Sequence, residues 1–260
     1  MNVSVNIPIS SFQKKQLNQY NLAIKNEEKA KQLILLDLLN VTKINDGIYI
    51  GNKKIINNPN FIIPFKITHI INTSNEKFIC QIEGLSIESF KILNIKWEES
   101  PDQVLFDSNN TITEEIKNFI DDSIETGEGI LIYSDKGENR ACIILIIYFM
   151  TKYNWSFQKS MELMRLKKSD ISIPDYFLNQ LKEYDQRLDN KEKSVNWLNT
   201  NFKDEYEEVL SKTFANSYLI KYLPTKVSKD YIKKNIHISW GDRDIRYKNN
   251  FICLDYQNDL

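Results

Sequence analysis

The chain has 260 residues, with 34 Lys and Arg against 35 Asp and Glu, a formal net charge of −1. Hydrophobic residues at 42% and aromatics at 12% supply a core, which excludes a disordered chain; 7 Gly and 6 Pro exclude fibrous and linker classes. The even charge balance sets aside a dedicated nucleic-acid binder or an anionic-membrane binder.

In chain order, residues 1–43 predict a helical leader. Ser10 and Ser11 are candidate N-caps, and Leu17, Ala30, Leu33, Leu36 and Leu39 form apolar stripes between Lys and Glu. The pattern changes at Asn45. Residues 47–51 predict a short strand ending at a glycine, and residues 67–72 a β-rich run closed by Thr73, Ser74 and Asn75. Residues 90–97 alternate at period two. Residues 111–125 predict a helix with Ile112, Ile116, Phe119, Ile120 and Ile124 on one face and Gly127 beyond its end. Residues 129–133 predict a buried strand, followed by helices at about 138–153, 155–167 and 174–188, with Pro174 in the first turn of the last. Strands alternating with helices predict an α/β domain with helices on both faces of a sheet. A further helix is expected at about 203–222 from the spacing of Tyr206, Leu210, Phe214, Tyr218 and Tyr222, and then an extended tail. The runs around Lys193 and around Lys233 and Lys234 read as solvated surface.

The three cysteines, Cys80, Cys142 and Cys253, are too dispersed for a disulfide framework and point to a reducing compartment. Only His69 and His237 are present and they lie far apart, so no metal site and no cofactor is expected. The first residues lack the charged and apolar regions of a signal peptide, and the apolar run 142–150 is too short to span a bilayer. A cytoplasmic protein is expected, compatible with a cytoskeletal or ciliary assembly, with no membrane and no nucleic-acid partner.

Chemistry concentrates at Ser134, Asp135, Lys136, Gly137, Glu138, Asn139 and Arg140, where a buried strand runs through a short loop into an apolar helix. Backbone N–H groups of such a loop and of the helix N-terminus can converge on a phosphate, and an arginine can clamp it bidentately. Carboxylates at Asp135 and Glu138 oppose that use. Retained phosphate binding and a structural tie between Arg140 and neighbouring carboxylates are equal readings.

The loop together with its flanks resembles the dual-specificity branch of the protein tyrosine phosphatase superfamily. The resemblance covers about 44–188. It is carried by residues 46–51, by residues 67–72, by Tyr148, Phe149 and Met150 at the end of the post-loop helix, by Asn154, Trp155, Ser156 and Arg165, and by residues 173–181. It implies a mixed, mostly parallel sheet flanked by helices, with leader 1–43 and extension 189–260 added. It also implies that the family's nucleophilic cysteine falls on Ser134, its preceding histidine on Tyr133 and its hydroxyl residue after the arginine on Ala141. Only Gly137 and Arg140 remain of the signature, with Glu99 and Asp102 as degenerate general-acid candidates.

A loop thiolate forms near neutral pH, whereas a serine hydroxyl stays protonated and needs a neighbouring base. No catalytic residue is therefore expected. The chain resembles the pseudophosphatases of that family in lacking the cysteine, and the expected function is that of a protein-interaction scaffold, with 1–43 and 189–260 contacting protein partners in a larger assembly. Two alternatives stand beside it: a reader of phosphorylated Ser, Thr or Tyr peptides through Arg140, and a weakly active or Cys-to-Ser trapped phosphatase.

Overall fold

The computed structural model describes residues 27–188, 193–195, 197 and 201–212. Helix α1 covers 27–38, and β1 (Thr42–Asn45) and β2 (Ile48–Asn52) follow. After a 3-10 turn and α2 (Pro59–Ile62) come β3 (Ile67–Asn72) and β4 (Lys91–Asn94). Helix α3 (Thr111–Glu125) leads to β5 (Gly129–Ser134), then α4 (Arg140–Tyr153), α5 (Phe157–Lys167) and α6 (Asp175–Arg187). Helix α7 covers 205–212.

The sheet order is β1-β2-β5-β3-β4. β1 is antiparallel to β2 and every other pair is parallel. The mixed, mostly parallel sheet expected from the sequence is therefore present, with β5 at its centre. β5 is buried along its whole length because both of its faces are covered. Ile130 and Ile132 point into a core shared with α3, α4, α5 and α6. Leu131 and Tyr133 point into a second core with Leu36 of α1, Phe61 and Ile62 of α2, and Phe78 and Phe90.

Helix α4 is apolar all round and nearly every residue in it is buried, which places it inside the molecule rather than on its surface. Truncating a residue such as Ile146 to Ala would cost about 2–5 kcal/mol. The helix ends at Asn154, which adopts a left-handed conformation with φ of 55° and turns Trp155 back onto the core. Ser156 then caps α5 by accepting the Lys159 N–H at 3.1 Å.

Three elements differ from the sequence reading. β1 lies partly within the stretch assigned to the leader; its pairing with β2, not its own four residues, makes it a strand. Pro174 is the N-cap of α6, extended at ψ of 149°, rather than a first-turn residue. Lys193 is not solvated surface: its amine is drawn down to Asp185, with Oδ1 at 3.0 Å. The expected helix over 203–222 is helical at 205–212, and its remainder, like the leader before residue 27, the tail and Lys233 and Lys234, lies outside the described residues. None of the described helices is long and apolar enough to cross a membrane.

The described residues after 188 pack on the domain. Ser194 exchanges backbone hydrogen bonds with the turn after α4, donating to Asn154 O at 2.9 Å and accepting from Ser156 N at 3.1 Å. Trp155 Nε1–H donates to Glu207 at 2.7 Å, and Tyr206 donates to the Asp46 carbonyl at 3.1 Å. Leu210 and Trp197 join the first core.

Candidate functional site

The parallel strands end together, so the residues just past β2, β3, β4 and β5 meet around the β5–α4 loop. Register places Asn52 beside Ser134, and Thr73 is tied to the Tyr133 carbonyl through both its N–H (2.9 Å) and its hydroxyl (2.8 Å). The loop turns at Gly137, whose φ of 80° suits glycine. A Cβ there would sit 2.7 Å from the Gly51 carbonyl oxygen, so the close seat of the loop on β2 also requires glycine.

Ser134 is 2% exposed, and its hydroxyl accepts the Gly137 N–H at 3.0 Å. Among the described residues no histidine neighbours it. His69 is buried at the other end of β3, with Nε2 2.9 Å from Asp122 and its ring edge on Phe119. Tyr133, at the position the resemblance gives to histidine, faces the second core, and burial pushes its hydroxyl up to about 12. It is not a base near neutral pH. Ala141 is buried and offers no hydroxyl.

Arg140 is 3% exposed, and its guanidinium is already engaged by the chain itself. One Nη donates to the Trp97 carbonyl at 2.8 Å and reaches the Asn75 side-chain oxygen at 3.4 Å. The other Nη is paired with the Asp135 carboxylate. Nε lies 3.3 Å from Glu99 without the alignment of a hydrogen bond. Asp135 is also approached by Lys53 at 3.9 Å, whose main partner is Glu76 at 2.7 Å.

Of the sequence candidates, the structure brings together Ser134, Asp135, Gly137, Arg140 and Glu99. Asp102 is exposed, its N–H directed at Ser100, and it makes no ion pair with Arg140 among the described residues. Lys136 points to solvent, and the Glu138 carbonyl accepts from Ser172. Asn139 precedes α4 and has a buried side-chain oxygen without a partner. Cys142, just behind the loop, is a core thiol that burial pushes up to about 12. Lys53, Asn75 and the Trp97 carbonyl were not foreseen. They come from the ends of other strands, and only strand order could have disclosed them. Among the described residues no cluster of metal-ligating side chains occurs.

Chemically, the loop holds an arginine engaged by Asp135 and the Trp97 carbonyl, and a neutral hydroxyl stands where the resemblance places the nucleophile. Residues 48–187 match the family described as "Dual specificity phosphatase, catalytic domain", more than half of the chain. The chain is 23% identical over 168 residues to dual specificity protein phosphatase 1B of Arabidopsis thaliana, covering 62% of this chain and 91% of that one. It is 27% identical over 169 residues to protein phosphatase Slingshot of Drosophila melanogaster, covering 63% of this chain but 15% of that one. Among solved structures, the human tyrosine phosphatase-like serine/threonine/tyrosine-interacting protein superposes with a TM-score of 0.49 at 20% identity, over 56% of this chain and 96% of that one.

Proposed function

The chain belongs to the dual-specificity phosphatase family, and from that premise we propose that it is a non-catalytic member that works by binding protein partners. The observation that carries this reading is the state of Arg140. In a phosphatase the arginine must be open to a phosphoryl group, and here Asp135 and Glu99 lie against it. A phosphate would meet two negative charges before the guanidinium. Ser134 adds the second support, because a hydroxyl without a base does not attack phosphorus at neutral pH. Residues 1–43 and 189–260 are the proposed contact segments, and a larger assembly is their proposed setting.

The test is turnover of p-nitrophenyl phosphate by the native chain and by Ser134→Cys. Neither should exceed the buffer rate, since Tyr133, Asp135 and Ala141 remain in place. Clear turnover by the native chain would overturn the reading. Turnover by Ser134→Cys alone would mean that the rest of the site is intact and would revive the trapped-enzyme alternative.

A second reading, a phosphoprotein reader, is favoured by the preserved loop turn at Gly137. Affinity purification from the protein's own cells separates the two. Partners lost on Arg140→Ala, and lost again after phosphatase treatment, would indicate reading of phosphate. Partners kept by Arg140→Ala and lost only on truncation after residue 212, which leaves Trp197, Glu207 and Leu210 on the domain, would indicate a scaffold.

A further inference from the structure

Beside Arg140, at the open edge of the sheet, lies a groove of about 490 Å³ between the loop after β3 and the 3-10 turn Ile87–Ser89. Ile92, Asn94 and Lys96 line one side, and Phe78, Ile87 and Lys77 the other. Among the described residues β4 pairs only with β3, and none covers its outer edge with a further strand. The Ile95 N–H donates to Asn72 O at 2.9 Å, and Asn72 is in register with Asn94. In a parallel ladder this turns the backbone of Leu93 and Ile95 toward β3 and that of Ile92 and Asn94 out of the sheet. Among the described residues no backbone group meets those two.

The side chains add a preference. Lys77 and Lys96 are exposed and make no ion pair among the described residues, whereas Lys91 on the same strand is held by Asp122 at 2.6 Å. The one carboxylate lining the groove, Glu76, is neutralised by Lys53. Ile87 stands 46% exposed above buried Phe78, which offers an apolar seat. Lysines alone would be ordinary protection of an edge strand. A concave apolar seat beside unpaired main-chain donors is the opposite of protection.

We infer that this groove takes an extended acidic segment of a partner protein, added to β4 as a sixth strand. Main-chain hydrogen bonds to Ile92 and Asn94 would hold it, Lys77 and Lys96 would select its charge, and one apolar side chain would enter between Phe78 and Ile87. The occupant would pass next to Asn75, which lines the groove and also touches Arg140. The surface does not depend on whether the loop turns over phosphate.

The experiment selects a displayed random dodecapeptide library on the full chain, then compares the selected peptides on a Lys77→Glu/Lys96→Glu variant and on Ile87→Asp. All three surface changes should leave the thermal midpoint near the native value. Selected peptides should be rich in Asp and Glu with alternating apolar residues, and should bind both variants at least about tenfold more weakly. They should slow hydrogen exchange at the Ile92 and Asn94 amides. The inference falls if no peptide is selected, if basic or Pro-rich peptides dominate, or if the variants bind as well as the native chain. It falls equally if those amides are already protected in the isolated monomer, which would put the chain's own tail on the edge, or become protected only with dimerisation. Phosphatase turnover by the same sample would overturn the non-catalytic reading and leave this surface standing.

Discussion

Two cations are buried near the starts of successive helices and are held in opposite ways. Arg140 opens α4 and meets carboxylates, Asp135 and Glu99, that themselves reach solvent. Lys159 sits in the first turn of α5, 1% exposed, with its amine 4.4 Å from the centre of the Trp155 ring, 4.7 Å from that of Trp197, and 2.8 Å from the Ser194 hydroxyl. Burial lowers its pKa to about 8, against a smaller raising effect of Glu207. An ion pair at the rim is exchangeable, since water or another anion can replace a carboxylate there. A lysine between two indoles is not, since leaving means opening the core. The first arrangement belongs to a site and the second to a clamp that holds Ser194 and Trp197 on the domain.

The clamp should therefore dominate stability. Trp197→Ala removes one wall, its contact with Trp155 and its hydrogen bond to Glu162 at 2.9 Å, and should cost about 3–5 kcal/mol in urea unfolding. Ending the chain at Leu188 should cost at least as much, because Leu210 and Glu207 go as well. A truncated chain with an unchanged urea midpoint would remove the clamp from the comparison.

Lys159→Met sharpens the same contrast through pH. The folded pKa is about 8, below the ordinary 10.5, so burial opposes the charged form. Below about pH 8 both folded and unfolded chains carry the proton and the cost of burial is fully present. Between pH 8 and 10.5 the folded chain releases it first, and the native protein gains stability relative to the Met variant. The whole gain is at most about 3 kcal/mol. A difference between the two proteins that stays flat across that window would mean that the amine is not desolvated as described.

Arg140→Met should cost less, about 1–3 kcal/mol, because Asp135 and Glu99 are left near water and can rehydrate while the Trp97 carbonyl loses its donor. A loss larger than that of Trp197→Ala would reverse the comparison and make Arg140 the structural residue.

How far these arrangements are legible in the sequence follows from how local they are. The bounds of β3 and α3 can be read directly, since a β-branched run closed by Thr73 and Ser74, and a single apolar face from Ile112 to Ile124, are local patterns. β1 is not legible, because an edge strand of four residues exists through its partner. The contest between phosphate and carboxylate for Arg140 is legible as a contest, since Asp135 stands next to Ser134 in the chain. Its arrangement is not, because Glu99, Asn75 and the Trp97 carbonyl arrive from other strand ends. The clamp is hidden for a related reason. A lysine near the start of α5 reads as surface until Trp197 and Ser194, more than thirty residues later, close over it.

Asp135→Asn has the smallest effect on stability and the most to say about the site. Asp135 is half-exposed, and the amide oxygen of Asn can still accept from the guanidinium, so the urea midpoint should move by the equivalent of no more than about 1 kcal/mol. The amide keeps the size of the carboxylate but no longer neutralises the guanidinium, and Lys53 and exposed Lys136 add positive charge nearby. Inorganic phosphate should then raise the thermal midpoint of the variant, by an amount equivalent to about 2.7 kcal/mol at a hundred times its dissociation constant, and leave the native chain unmoved. Protection of both proteins alike would mean that Asp135 gives way to phosphate without help, and Arg140 would then be an open reader. Protection of neither would mean that Glu99 and the loop amides no longer form a cradle, and the arginine would join Lys159 as a structural cation.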